Sequence, residues 1–295
     1  MKICIVGPGI MEIPPKGWGA VEILIHDYHC TLEKLGHQVI IVNTPHKGEI
    51  VNQVNTSKPD FVHLQYDNHI DVANYIQCSN IAMTSHFGYL EQPNRWGGYH
   101  NIFTRTINTP QVHIFCLSPG ISAIYNRMGI PENRLHITPN GVREDLFKFE
   151  EASRFPDKSI YLAKIDYRKR QHLYQNIPNL YFAGRSIDSR FDTNKPCYLG
   201  EWDKDYLYEN LTNYANLVLL SDGEAHPLVC MEAMAAGLGL VLSKVSTANL
   251  DLNLPFIDVI PDDRMDDIPY IQYIIEENRS KSITMRKQIR EYVVE

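Results

Sequence analysis

The chain of 295 residues lacks most of the features that would assign it quickly to a class. No apolar run approaches the roughly 20 residues of a membrane span. The formal net charge is -7 and no long basic run occurs, which argues against a partner held by phosphate attraction, so nucleic acid is not expected. The six cysteines, Cys4, Cys30, Cys78, Cys116, Cys197 and Cys230, are scattered and form no Cys-x-x-Cys pair. That pattern favours buried free thiols in a reducing cytosol over a zinc or disulfide framework. The histidines show no His-Glu-x-x-His or comparable metal spacing. Internal repeats and low-complexity stretches are missing. The first apolar run, Ile3–Val6, meets Gly7 at once and is too short for a signal peptide. A cytoplasmic location is expected, with peripheral membrane contact left open, since a local patch can oppose the net charge.

What is present is ordinary globular material, 44% hydrophobic and 21% charged, in a length that suits two modest domains. Short apolar runs alternate with amphipathic stretches. Ile3–Val6, Val39–Val42, Phe61–Leu64, Ile81–Thr84 and His113–Leu117 read as strands. Between the first two, Val21, Leu24, Ile25, Tyr28, Leu32 and Leu35 recur at helical spacing, and Gly36 ends that helix. A second series begins near Ser159, with strands at Ser159–Ala163, Leu180–Ala183, Leu217–Leu220 and Leu240–Leu242. The segment from Leu146 to Lys158 is charged, carries Pro156 and has no periodicity, so the junction is placed there. The tail from Asp267 to Glu295 is helical in pattern. The expected class is α/β, with two Rossmann-like, doubly wound domains, 1–150 and 151–295, facing a cleft.

Three segments carry candidate chemistry. The loop Gly7-Pro-Gly-Ile-Met-Glu-Ile-Pro-Pro-Lys-Gly17-Trp-Gly19 follows a strand and opens a helix, where glycines let backbone N–H groups approach a phosphate. It is not a dinucleotide fingerprint: Glu12 stands where the third glycine belongs, and Asn43-Thr-Pro-His46 replaces the acidic strand end. Glycines in such a loop also make plain tight turns. The segment Ser221-Asp-Gly-Glu224-Ala-His-Pro227-Leu228-Val-Cys-Met-Glu232 places two glutamates at a strand-to-helix junction, where carboxylates can accept hydrogen bonds from sugar and ribose hydroxyls. The plainer alternative is one glutamate favoured by the helix dipole and one at the core edge. The segment Lys164-Ile-Asp-Tyr-Arg-Lys169-Arg170 places two lysines at a strand end, able to clamp a diphosphate or to form a solvated charge run. Asp203-Lys-Asp205 looks superficially like a metal motif, but Asp203 reads better as a helix N-cap.

The Glu224-x7-Glu232 segment, with Ala233-Met-Ala-Ala-Gly237 behind it, resembles the signature of family 4 retaining glycosyltransferases. Glu224-Ala-His-Pro227 fits the variant of that signature with proline. Pro139-Asn140-Gly141-Val142 with Phe147, Gly36-His37-Gln-Val39, Leu199-Gly200 and the Pro14–Gly19 loop are similar to further segments of the family in the same order. The likeness spans about residues 3 to 243. Departures are Ala163-Lys164 where the family has Gly-Arg, Gly239 where proline is common, and no glycine-rich loop after Ser243.

The resemblance implies a GT-B fold with the acceptor on the first domain and a nucleotide diphosphate sugar on the second. It implies retention at the anomeric carbon and no cofactor. With no metal expected, the leaving diphosphate is met by Gly17, Gly19, Lys164, Lys169 and the helix start at Pro227 and Leu228. Glu224 is expected at the sugar and Glu232 at the ribose. His86, in Thr84-Ser-His-Phe-Gly88, stands where the family often places a histidine near the sugar, and histidines at strand ends are as often structural. The acceptor, whether glycan, lipid or small molecule, and the oligomeric state are not readable. A sugar-nucleotide epimerase and an inactive nucleotide-sugar-binding module are the alternative readings.

Overall fold

The computed structural model describes every residue except Trp18 and Glu295. It divides into two compact units, Met1–Asn140 and the chain from Gly141 onward. The division lies ahead of the junction expected at 150/151. The reason is that the segment after Gly141 is tied to the second unit. Phe147 is buried and packs edge-on to Tyr208 at 4.9 Å. The Lys148 N–H donates to the Tyr208 carbonyl at 3.0 Å, and the Glu150 N–H to Thr212 Oγ1 at 3.0 Å.

The first unit runs β1 (Lys2–Val6), α1 (Ala20–Lys34), β2 (Gln38–Val42), α2 (Lys47–Ser57), β3 (Phe61–Leu64), β4 (Ile81–Thr84), α3 (Tyr99–Ile107), β5 (Val112–Cys116), α4 (Pro119–Arg127) and β6 (Leu135–Ile137). Its sheet has the order β2-β1-β3-β4-β5-β6, and every pair is parallel. The inner strands β1, β3 and β4 are buried on both faces, which is why they read as continuous apolar runs such as Ile-Cys-Ile-Val. α1 ends where expected: Gly36 takes φ 84°, and its N–H bonds back to Glu33.

The second unit runs β7 (Phe155–Leu162), α5 (Gln171–Tyr174), β8 (Leu180–Ala183), α6 (Lys204–Asn210), β9 (Tyr214–Leu219), α7 (Leu228–Ala235), β10 (Gly239–Ser243), β11 (Ile257–Ile260) and α8 (Ile268–Val294). Its all-parallel sheet has the order β11-β10-β9-β7-β8. β7 starts inside the charged stretch that the sequence marks as junction. Its pairing with β9 is irregular between Phe155 and Ser159, which accommodates Pro156 before the regular ladder begins.

Both units therefore share one winding. The first strand of each (β1, β7) lies between the second and the third, so the chain leaves it in one direction and returns on the other side. The crevice outside the carboxyl ends of β1 and β3, and of β7 and β9, is the switch point where ligands bind in open parallel sheets.

α8 closes the second unit. Buried Arg286 donates to the carbonyls of Glu150, Thr212, Tyr214 and Ala236, and Arg290 to those of Glu144, Phe147 and Ala235. Two of these carbonyls, Ala235 and Ala236, are the carboxyl end of α7. Gly239 has a packing reason: a Cβ there would stand 1.8 Å from Ser282 Oγ on α8.

Candidate functional site

At the switch point of the second unit, the loop after β7 carries Lys164, Arg168 and Lys169, and the loop after β9 carries Glu224. The structure brings Lys169 and Glu224 into direct contact. Lys169 Nζ donates to Glu224 Oε1, and Arg168 holds Oε2 at 3.1 Å. The Glu224 and Lys169 side chains are almost fully covered. Burial alone would push the Glu224 carboxyl up; Lys169 and then Arg168 outweigh it and hold the group below its usual range, as a carboxylate.

The two loops are locked to each other by backbone contacts. Arg168 donates to the Gly223 carbonyl, and the Asp222 N–H donates to the Arg168 carbonyl at 2.9 Å. Tyr161, fully buried in β7, accepts from the Leu220 N–H at 3.0 Å and donates to the Lys169 carbonyl. Arg170, next to Lys169, is held at φ 59°, a left-handed conformation uncommon for a residue with a side chain. Lys164 begins the same loop, half-buried, with its carbonyl accepting from Gln171 Nε2 at 3.0 Å.

Glu224 is followed at once by α7. Pro227 is its N-cap residue and no side chain caps the helix; the Cys230 N–H bonds to the Pro227 carbonyl, which leaves the N–H groups of Leu228 and Val229 to meet an anion. Glu232 lies one turn further along α7, mostly covered, with Oε1 accepting from Lys204 Nζ at 2.7 Å. Lys204 opens α6, and Asp203 caps that helix through Oδ1 and the Tyr206 N–H at 2.8 Å, the role its sequence position suggests.

The remaining expected residues lie in the first unit. Gly19 is the N-cap of α1 at φ 139°, and Gly17 precedes it; Trp18 between them lies outside the described residues. The start of this loop is pinned by Asn43, which accepts from the Gly9 N–H at 2.8 Å and donates to the Met11 carbonyl at 2.7 Å. Gly9 could not carry a side chain: a Cβ would lie 2.2 Å from the Pro45 nitrogen. Asn43 thus ties down the loop from the place where a dinucleotide fold keeps its ribose-binding acid.

His86 follows β4. Its Nε2 donates to Gln65 Oε1 at 2.8 Å, and burial lowers the imidazole to about 4, so the ring is neutral near pH 7. Beside it, buried Asp67 accepts from Ser85 Oγ at 2.5 Å and from Tyr99 Oη at 2.7 Å. Arg168, Tyr161, Lys204 and Gln65 were not singled out by sequence. Arg168 sat inside a visible charge run, but its partners Gly223 and Glu224 are remote in the chain. Tyr161 and Gln65 left no signal beyond a polar atom in or beside an apolar strand.

Among the described residues, no group of three or more His, Cys, Asp or Glu is gathered as for a metal, and no helix is long and apolar enough to cross a membrane.

The architecture is that of the GT-B class, matched over both units by solved structures. HepE of Anabaena, with UDP and glucose, is 13% identical, with 99% of this chain and 94% of that one covered at a TM-score of 0.72. Sucrose-phosphate synthase of Thermosynechococcus elongatus is 16% identical, with 99% and 94% covered at 0.74. The lipopolysaccharide outer core galactosyltransferase WaaB, in its apo form, is 15% identical, with 100% and 95% covered at 0.68. No protein-family model and no curated sequence matches the chain. At these identities the likeness establishes the fold.

Proposed function

We propose that the protein is a retaining, metal-independent glycosyltransferase that moves a sugar from a nucleotide diphosphate to an acceptor hydroxyl. The observation that carries this reading is the Arg168–Lys169–Glu224 cluster at the switch point, set against the open amino end of α7. In the reaction the bond between the anomeric carbon and the diphosphate oxygen breaks, and a bond to the acceptor oxygen forms. The acceptor proton is lost, and negative charge grows on the departing diphosphate. Lys164, Lys169 and the N–H groups at Leu228 are suited to stabilise that charge without a divalent ion. Arg168 and Lys169 keep Glu224 ionised, which suits it to the sugar, whose anomeric carbon becomes cationic in the transition state. Glu232, with only Oε1 engaged by Lys204, keeps Oε2 for a ribose hydroxyl. Gly17 and Gly19 are assigned to the donor phosphates, and His86 to a substrate hydroxyl. The likeness to HepE, whose structures hold UDP or UDP-glucose, makes uridine nucleotides the first donors to try.

The test combines binding with turnover in the presence of EDTA. A nucleotide diphosphate at a hundredfold excess over its Kd stabilises the native state by about 2.7 kcal/mol in a thermal melt. Glu232→Ala should weaken the free nucleotide diphosphate and raise donor KM. Glu224→Ala should spare that binding and lower kcat, because it removes a group that acts where the transition state forms. Equal weakening of free nucleotide by both variants would sink the division of roles. Activity abolished by EDTA and restored by magnesium would remove the metal-independent mechanism. A donor that is isomerised rather than transferred would return the epimerase reading.

A further inference from the structure

We infer that Gln65 and His63 are positioning residues that fix His86 in one neutral tautomer, with Nε2 protonated and Nδ1 bare. That nitrogen is then an acceptor offered to a hydroxyl of the substrate. The geometry is a relay across two neighbouring strands. His63 Nε2 lies 2.8 Å from Thr84 Oγ1, Gln65 Nε2 lies 3.2 Å from His63 Nδ1, and His86 Nε2 lies 2.8 Å from Gln65 Oε1. The sheet builds the relay. β3 and β4 pair in parallel with Val62 opposite Ile81 and His63 opposite Ala82, and His63 and Gln65, two apart, point to the same face. His63, Gln65 and Thr84 are all buried.

The protons follow from which atoms can donate. An amide nitrogen only donates, so the one on Gln65 requires a bare Nδ1 on His63. His63 then carries its proton on Nε2 and donates to Thr84. At the other end the amide oxygen only accepts, so His86 must carry its proton on Nε2. His86 Nδ1 is left with a free lone pair and has no hydrogen-bond partner among the described residues. Neither ring gains a second proton near neutral pH: burial holds His63 at about 3 and His86 at about 4. His63 is also gripped by aromatic rings, with Phe115 edge-on at 5.0 Å and Tyr28 at 6.2 Å, so its plane is set independently of Gln65.

The tautomer is a property of the fold; its use in turnover rests on the reading of the chain as a glycosyltransferase. The test uses the full chain labelled with ¹⁵N-histidine. A long-range ¹H–¹⁵N spectrum near pH 7, with His86 identified by its loss in His86→Asn, reads the two ring nitrogens directly. The expected result is a single form of His86 with Nδ1 unprotonated. A proton on Nδ1 would reverse the relay and overturn the proposal. In Gln65→Leu, His86 should populate both tautomers, and kcat/KM should fall about 3- to 10-fold, the range of a neutral hydrogen bond. If that variant misfolds, Thr84→Val releases the far end of the relay and should loosen both rings in the same sense. A His86 signal unchanged in a folded Gln65→Leu protein overturns the positioning role. If the wild type turns over no donor while its Nδ1 is bare, the transferase reading falls and the tautomer assignment stands.

Discussion

The two switch points of the molecule are built on the same strand order and carry opposite chemistry. Beyond β7 and β9 the crevice is ionic. Two cations close on a covered carboxylate, an uncapped helix start stands beside them, and a second glutamate is held by its own lysine. Beyond β1 and β3 a glycine loop is pinned by an asparagine amide, a chain of neutral imidazoles and an amide runs across the strands, Asp67 is satisfied by two hydroxyls, and Asp71 is paired with Lys47 and Arg105. A parallel sheet supplies the crevice, and the residues at its strand ends decide whether it meets charge or hydroxyl groups. On the proposed reading the ionic crevice takes the nucleotide diphosphate and the imidazole–amide relay takes hydroxyl groups.

The largest test of that contrast is to discharge the ionic side. Lys169→Met leaves Glu224 covered with Arg168 alone, so the loss should approach but stay below the about 3–5 kcal/mol of a fully unpaired buried charge. Urea unfolding should show that loss in the second unit. Donor kcat/KM should fall about 10- to 150-fold, the equivalent of a charge-assisted hydrogen bond of about 1.5–3 kcal/mol. A stable variant with wild-type turnover would place the diphosphate clamp elsewhere.

Acid should separate the units next. A histidine whose folded pKa is depressed takes up its proton in the unfolded chain first, so stability drains away as pH falls below about 6.5. The loss continues to about 4 for His86 and about 3 for His63, and buried His69 acts in the same direction. The second unit has His226, held at about 4, and the more lightly shifted His172. Glu224 adds to the second unit a stability that is present above the usual carboxylate range and lost only as pH falls through its depressed value. On acidification from pH 7 the isoleucine methyl resonances of the first unit should therefore lose their dispersion before those of the second. Simultaneous collapse would mean that the neutral relay is no weaker toward acid than the ion cluster.

The smallest test is Tyr161→Phe. It removes one oxygen that serves both the Leu220 N–H and the Lys169 carbonyl, and leaves both buried. The expected loss is about 1–3 kcal/mol, with donor KM rising more than kcat falls. An unchanged Tm together with unchanged KM would show that the loop holding Lys169 is positioned by its other contacts, such as those of Arg168 with Asp222 and Gly223.

Much of the fold could be read in advance because parallel strands are buried on both faces. Phe61–Leu64, Ile81–Thr84 and Leu180–Ala183 stand as bounded apolar runs and are strands over those residues. The elements that escaped lack such a signature. α2 buries only Ile50 and Val54, too little to set a helical period. β6 and β11 are edge strands of three and four residues. β7 begins in charged residues because its first part lies outside the regular ladder. In the site, Lys169 and Glu224 were each legible as candidates because both stand at strand ends with family-like spacing; the contact between them was not, since they are 55 residues apart. The grip of Arg168 on Glu224, the hydroxyl bridge of Tyr161, the hold of Lys204 on Glu232 and the Gln65 relay each join loops or strands far apart in the chain. No local pattern records such pairings.

The arginines that α8 lends to α7 have a consequence for how the chain is made. The amino end of α7 is the proposed anion site, and its carboxyl end is closed by Arg286 and Arg290, near the end of the last helix. Domains fold as units during synthesis, the first one earliest, at about 5–20 residues per second. Protease digestion of ribosome-stalled chains should find the first unit resistant before α8 has emerged and α7 resistant only afterwards. A nascent chain thus carries a folded first unit for many residues before the carboxyl end of α7 is closed and its amino end is held in place.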